Sequence, residues 1–81
     1  MRLSIHTIEK TLFDDEIKSI TVMTEEGEIT VLKNHVPLVT RVKPGIVTVI
    51  DKKGELHRID FSLSGFLEIR PEDQGVVLLA E

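Results

Sequence analysis

Residues 25–45 read EEGEITVLKNHVPLVTRVKPG. The stretch opens on an acidic turn, Glu25-Glu26-Gly27-Glu28, and a short apolar run follows at residues 29–32. Lys33-Asn34-His35-Val36-Pro37 interrupts that run, residues 38–43 resume it, and Pro44-Gly45 ends it. Proline presets the backbone for the first inner turn position, and glycine takes the positive φ that a type II turn needs next. Two reversals with β-forming residues between them are a strand–loop–strand signature.

Toward the N-terminus, Leu3, Ile5 and Thr7 alternate with Arg2, Ser4 and His6, which predicts a strand with one buried face. Phe13 precedes Asp14-Asp15-Glu16, read as a turn-like acidic cluster. A strand is expected over residues 17–24, with Ile20 and Val22 on one face and Ile17, Ser19, Thr21 and Met23 on the other. In the quoted stretch, Leu38, Thr40 and Val42 oppose Val39, Arg41 and Lys43.

Toward the C-terminus, residues 46–50 are apolar or β-branched on both faces. In a small domain such a strand is covered on both sides, or one of its faces serves a partner. Asp51-Lys52-Lys53-Gly54 is a hairpin turn, and residues 55–61 return with Ile59 and Phe61 on one face. Leu63, Gly65, Leu67 and Ile69 alternate with Ser64, Phe66, Glu68 and Arg70. A turn at residues 71–75 leads into a last strand at 76–80. Leu3, Ile5, Ile20, Val22, Leu63, Leu67, Ile69 and Leu78 are the expected core, and Phe61 and Phe66 are placed with it. Turns at short, even intervals without an amphipathic helix describe an all-β sandwich or barrel. No linker, repeat or low-complexity run divides residues 1–81, so a single domain is expected.

Composition narrows the function. The net charge of −4 disfavours nucleic acid and anionic membrane as partners. There is no cysteine, hence no disulfide and no thiolate chemistry, as fits a reducing compartment. No charged-then-apolar leader opens the chain, and no apolar run reaches the roughly 20 residues a membrane helix needs.

Motifs for chemistry are missing as well. His6, His35 and His57 have no ligand-like spacing to one another, so no metal is expected. The acidic clusters, Asp14-Asp15-Glu16, Glu25-Glu26-Glu28 and Glu72-Asp73, all read as turns, where solvated carboxylates are ordinary. Catalytic carboxylates need a cleft and a perturbed pKa. Ser62 stands where a nucleophile elbow around Ser64 needs its first glycine. No phosphate-cradling glycine loop is present. No catalytic residue and no cofactor is therefore expected. An oligonucleotide-binding barrel would need aromatic platforms and a basic groove, but the aromatics are Phe13, Phe61 and Phe66 in an acidic chain. A biotinyl or lipoyl carrier would use a hairpin lysine, here Lys52, but the E-x-D-K-A surround of lipoyl carriers is absent and a solvated hairpin tip explains the lysines. An unrelated protein-interaction sandwich is the remaining alternative.

The quoted stretch resembles the N-terminal domain of the ε subunit of F-type ATP synthases, called δ in mitochondria. That family reads acidic-Gly-Glu, an apolar strand, L-P-G-H-A-P-L-V-T, then K-P-G. The matching residues are Glu26-Gly27-Glu28, residues 29–32, Lys33-Asn34-His35-Val36-Pro37-Leu38-Val39-Thr40 and Lys43-Pro44-Gly45. A second block, Leu63-Ser64-Gly65-Phe66-Leu67-Glu68-Ile69, is similar to S-G-G-F-L-E-V. Lys33-Asn34 replaces Pro-Gly, one glycine of the second block is missing, and the chain stops where most members continue into a helical hairpin. The resemblance implies a two-sheet β-sandwich of about ten short strands. It implies a non-catalytic central-stalk subunit that binds the γ subunit and the polar loops of the c-ring, coupling ion flow to ATP synthesis. Its place would be peripheral, on the cytoplasmic face of the energy-transducing membrane, without direct membrane insertion. Glu26, Gly27 and Glu28 would face the ring, and His35 and Thr40 would approach γ or the ring loops. Where His35 instead serves the fold, it caps neighbouring backbone groups. Without the hairpin, neither an inserted inhibitory arm nor ATP binding is expected.

Overall fold

The computed structural model describes residues 1–33, 37–62, 64–72 and 74–79. Among them run eight strands: β1 (Arg2–His6), β2 (Thr11–Thr24), β3 (Gly27–Leu32), β4 (Leu38–Val42), β5 (Gly45–Asp51), β6 (Leu56–Phe61), β7 (Gly65–Arg70) and β8 (Gln74–Leu79). No helix occurs among the described residues, and the strand number lies close to the expected ten.

β2 organises the sandwich. Its first half pairs antiparallel with β1, from Thr11↔His6 to Glu16↔Arg2. Its second half pairs with β3 and β5, Ile20 opposing both Val31 and Val49. One strand therefore belongs to two sheets. The first sheet runs β4-β7-β8-β1-β2, with β1 and β8 parallel, and the second runs β3-β2-β5-β6.

The handover occurs at an irregularity in the β2–β5 ladder between Ile17 and Ser19. An extra residue bends a strand and shifts which positions face inward. Ile17 is accordingly buried together with Ile20 and Val22, although strict alternation put it on the opposite face. Asp14-Asp15-Glu16 likewise lies inside β2 and makes no turn. Its side chains stay about half exposed to water, and cations on neighbouring elements meet them. Arg2 Nη2 lies 2.9 Å from Asp14 Oδ1, Lys52 Nζ lies 3.8 Å from Asp15, and the Met1 amine lies 3.3 Å from Glu16.

Leu3, Ile5, Ile20, Val22, Val31, Val42, Val47, Val49, Leu67 and Val77 fill the space between the sheets with almost no exposure. Of the expected core, Leu3, Ile5, Ile20, Val22, Leu67 and Ile69 are buried. Leu63 and the Leu78 side chain lie outside the described residues, as does the Phe61 side chain. Phe66 is not core but 44% exposed. Between inward-facing Gly65 and Leu67 it must point outward, where the Arg41 guanidinium covers its ring at 5.7 Å.

Gly75 sits inward on β8, opposite Leu3 on β1 and Ile69 on β7. A Cβ there would lie 3.3 Å from Cδ1 of each. Both are side-chain ends, so Gly75→Ala should be absorbed by small shifts. Gly75→Leu should overpack the site and lower stability by about 1–3 kcal/mol, read from the urea midpoint.

Candidate partner-binding surface

The β2–β3 hairpin carries three of the residues singled out by sequence. Glu26 occupies its turn, Gly27 opens β3 opposite Thr24, and Glu28 opposes Met23 on the adjoining ladder. Gly27 takes φ 111°, a conformation that disfavours any side chain. Buried Thr24 stitches the turn: its Oγ1 donates to Gly27 O at 2.8 Å and accepts from Glu26 N at 3.2 Å. The carboxylates of Glu26 and Glu28 are thus displayed on a fixed turn.

A second reversal adjoins the first. Lys43 N donates to Met23 O at 2.8 Å, which ties the Pro44-Gly45 bend against β2. Gly45 takes φ 148°, positive but more extended than the roughly 80° of a type II turn, and leads straight into β5. Between the reversals lies a groove of about 410 Å³ on the outer face of the second sheet, lined among others by Met23, Glu28, Pro44, Ile46 and Arg58. Met23 and Ile46 are 40% and 43% exposed. Thr21 and Thr30 bond to each other across the same face at 2.8 Å. An apolar floor with an acidic and a basic side chain on its walls is the composition of a protein contact.

Thr40 lies elsewhere, on the half-buried inner side of β4, where its Oγ1 donates to Arg41 O at 3.3 Å. It is not on the groove face, although β4 ends beside it at Val42. His35 lies outside the described residues. Sequence reading placed Met23 on the face opposite Ile20 and Val22 without assigning it to a contact, and it did not name Arg58. The apolar residues on both faces of 46–50 were the available signal, and they marked Ile46.

The opposite end of the second sheet is held by Asp51. Its Oδ1 accepts from Lys53 N and Glu55 N, each at 2.9 Å, and its Oδ2 lies 2.7 Å from His57 Nε2. An ionised carboxylate only accepts, so Nε2 carries the proton. The His57 hydrogen bond, then that of Glu55, holds the Asp51 carboxyl below its usual range against the opposing effect of burial. A depressed folded pKa stabilises the fold above the unfolded pKa of about 3.9 and loses that contribution as pH falls through the folded value. Asp51→Asn should therefore lower the unfolding midpoint at pH 7, and its deficit should shrink in acid below the ordinary carboxylate range. A deficit unchanged between pH 7 and strong acid would contradict this role. Lys52 at the same tip is ion-paired with Asp15.

The family model of the ATP synthase delta/epsilon chain β-sandwich domain matches residues 1–81. The chain belongs to this family. The family is that of a non-catalytic stalk subunit of the ATP synthase complex. The ATP synthase epsilon chain 2 of Burkholderia orbicola is 35% identical over 81 residues, all of this chain and 52% of that protein. The ATP synthase epsilon chain of Xanthomonas oryzae pv. oryzae is 40% identical over 73 residues, 89% of this chain and 51% of its own length. The chain thus spans about half the length of the curated relatives it matches. A chain in the cryo-EM structure of the Euglena gracilis mitochondrial ATP synthase (OSCP/F1/c-ring) superposes with a TM-score of 0.88 at 26% identity, covering 98% of this chain and 49% of that one. A chain of the Tetrahymena thermophila mitochondrial ATP synthase central stalk and c-ring shares the fold, with a TM-score of 0.77 at 15% identity, covering 100% of this chain and 63% of that one.

Proposed function

We propose that this domain is the β-sandwich of an ATP synthase central-stalk subunit, seated between a γ subunit and the polar loops of the c-ring. The observation that carries the reading is the match of the whole chain to the delta/epsilon β-sandwich family. The Euglena gracilis neighbour, from an assembly of F1 and c-ring, supports it.

The role is mechanical. Glu26 and Glu28 on the rigid β2–β3 turn meet the ring loops, where complementary charge fixes register and speeds encounter. The groove around Met23 and Ile46 takes γ, with Thr40 and His35 in the neighbouring region of the contact. A domain held at both places passes torque from ring to stalk, so ion flow stays coupled to ATP synthesis. Such a subunit works peripherally, on the cytoplasmic face of the energy-transducing membrane. No helix among the described residues is long and apolar enough to cross a membrane.

A total contact on the order of 1,200–2,000 Å² is expected for a stable association of this kind. Glu28→Arg and Thr40→Arg should both weaken co-purification with γ and the ring, and Glu28→Arg should leave the unfolding midpoint unchanged. Full assembly and coupling by both variants would place the interface elsewhere.

A further inference from the structure

The β5–β6 hairpin gathers three metal-ligating side chains that spacing between histidines did not reveal. Asp51 and Glu55 face each other across the loop, Asp51 N donating to Glu55 O at 2.9 Å. Glu55 and His57 are two residues apart on the returning segment, so their side chains leave on the same face. A carboxylate oxygen from Asp51, one from Glu55 and a ring nitrogen of His57 lie within 4.8 Å of one another.

We propose that Asp51, Glu55 and His57 form a binding site for a divalent transition-metal ion, with Zn²⁺ the ion their donor set fits best.

The site is built to different degrees at its three corners. Asp51 is buried, and the two backbone N–H groups on its Oδ1 fix the carboxylate with Oδ2 directed to His57. Such outer hydrogen bonds are what orient ligating carboxylates. The His57 ring packs against Phe13 in a T-shaped contact, with ring centres 5.6 Å apart at 64°. An Asp–His pair alone would suffice to close the turn. Glu55 adds a carboxylate that the turn does not use: its backbone makes the loop bonds, and its exposed side chain has no ion pair or hydrogen bond to any described residue.

Charge and distance agree with a dication. Two carboxylates and a neutral imidazole offset the ion, and the cation on Lys52 is drawn to Asp15. Lys18, whose Nζ approaches Gly54, is the competing charge from β2. Bonds of about 2.0–2.2 Å in a tetrahedron put neighbouring ligand atoms about 3.4 Å apart. The Asp51–His57 contact must open from 2.7 Å by less than an ångström, and Glu55 must close. Metal at Nε2 moves the remaining ring proton to Nδ1, and a charged ring releases one proton to solvent. The fourth position falls to water. Imidazole among the ligands favours zinc over magnesium and calcium, which prefer all-oxygen sites. Occupancy would clip the hairpin at the mouth of the inter-sheet space.

The test uses the whole chain, stripped with chelator and titrated with zinc chloride by calorimetry. One ion per chain is expected, with a thermal midpoint that rises with zinc and then saturates. Magnesium chloride should do neither. Glu55→Gln and His57→Ala should each weaken binding about tenfold or more. Glu55→Gln is the decisive variant, because that side chain supports nothing in the fold. His6→Ala should leave the affinity unchanged. No saturable zinc uptake, uptake that survives both hairpin variants, or uptake lost in His6→Ala would overturn the proposal.

Discussion

Ile20→Ala should lower the stability of this domain by about 2–5 kcal/mol, the usual cost of emptying a closed core site. Ile20 is fully buried and lies on the strand shared by the two sheets, opposite Val31 on one side and Val49 on the other. Both partners are fixed by their ladders, so the cavity cannot collapse cheaply. An 81-residue domain has a total stability of roughly 4–12 kcal/mol, so the loss is a large share of it. Urea unfolding followed by circular dichroism should show a lower midpoint with an unchanged slope. A cost below about 1 kcal/mol would mean that Ile20 is not at the centre of the core.

The second large effect is expected on association. Met23→Asp combined with Ile46→Asp places two charges on the exposed outer face of the second sheet. In the free domain such changes should alter stability by about 0.5 kcal/mol or less each, because both positions already meet water. Against a covering partner each charge must be desolvated, with Arg58 the one basic side chain on the groove wall among the described residues to offset two carboxylates. Anchor positions of this kind cost about 2 kcal/mol or more each, so the pair should weaken binding to γ roughly a thousandfold. Co-purification should be lost while the circular dichroism spectrum stays that of the parent. Undiminished co-purification would remove this face from the interface.

Much of the fold was legible from period-two alternation. Leu3 with Ile5, and Leu67 with Ile69, alternate cleanly and are buried. The apolar run at 46–50 announced a strand with two useful faces: Val47 and Val49 point inward, Ile46 outward. Three readings failed for identifiable reasons. Asp14-Asp15-Glu16 looked like a turn because the cations that neutralise it, Arg2, the Met1 amine and Lys52, come from other elements. Ile17 was assigned to the wrong face because a ladder irregularity is a property of two strands together, invisible in one. Phe66 was placed inside on residue type, although its alternation with Gly65 and Leu67 already pointed outward.

The candidate surface was legible in part. The Glu26-Gly27-Glu28 turn could be located because glycine at a sharp reversal is a local signal. Thr40, by contrast, was named by motif position, and its inward direction depends on the pairing of β4 with β7. The Asp51–His57 contact joins residues six apart in sequence. The hairpin between them was predicted, but a turn anchored by a buried aspartate has no signature beyond D-x-x-G.

The central claim is that this domain links a γ subunit to the c-ring. It is tested most directly by adding the purified chain to an ATP synthase from which the ε subunit has been removed, and measuring ion-driven ATP synthesis in sealed vesicles. The account predicts that the chain is retained with γ and the ring and that coupled synthesis is restored, whereas the Met23→Asp, Ile46→Asp double variant does neither. Synthesis that stays uncoupled, with the chain washing free of γ and ring, would contradict it.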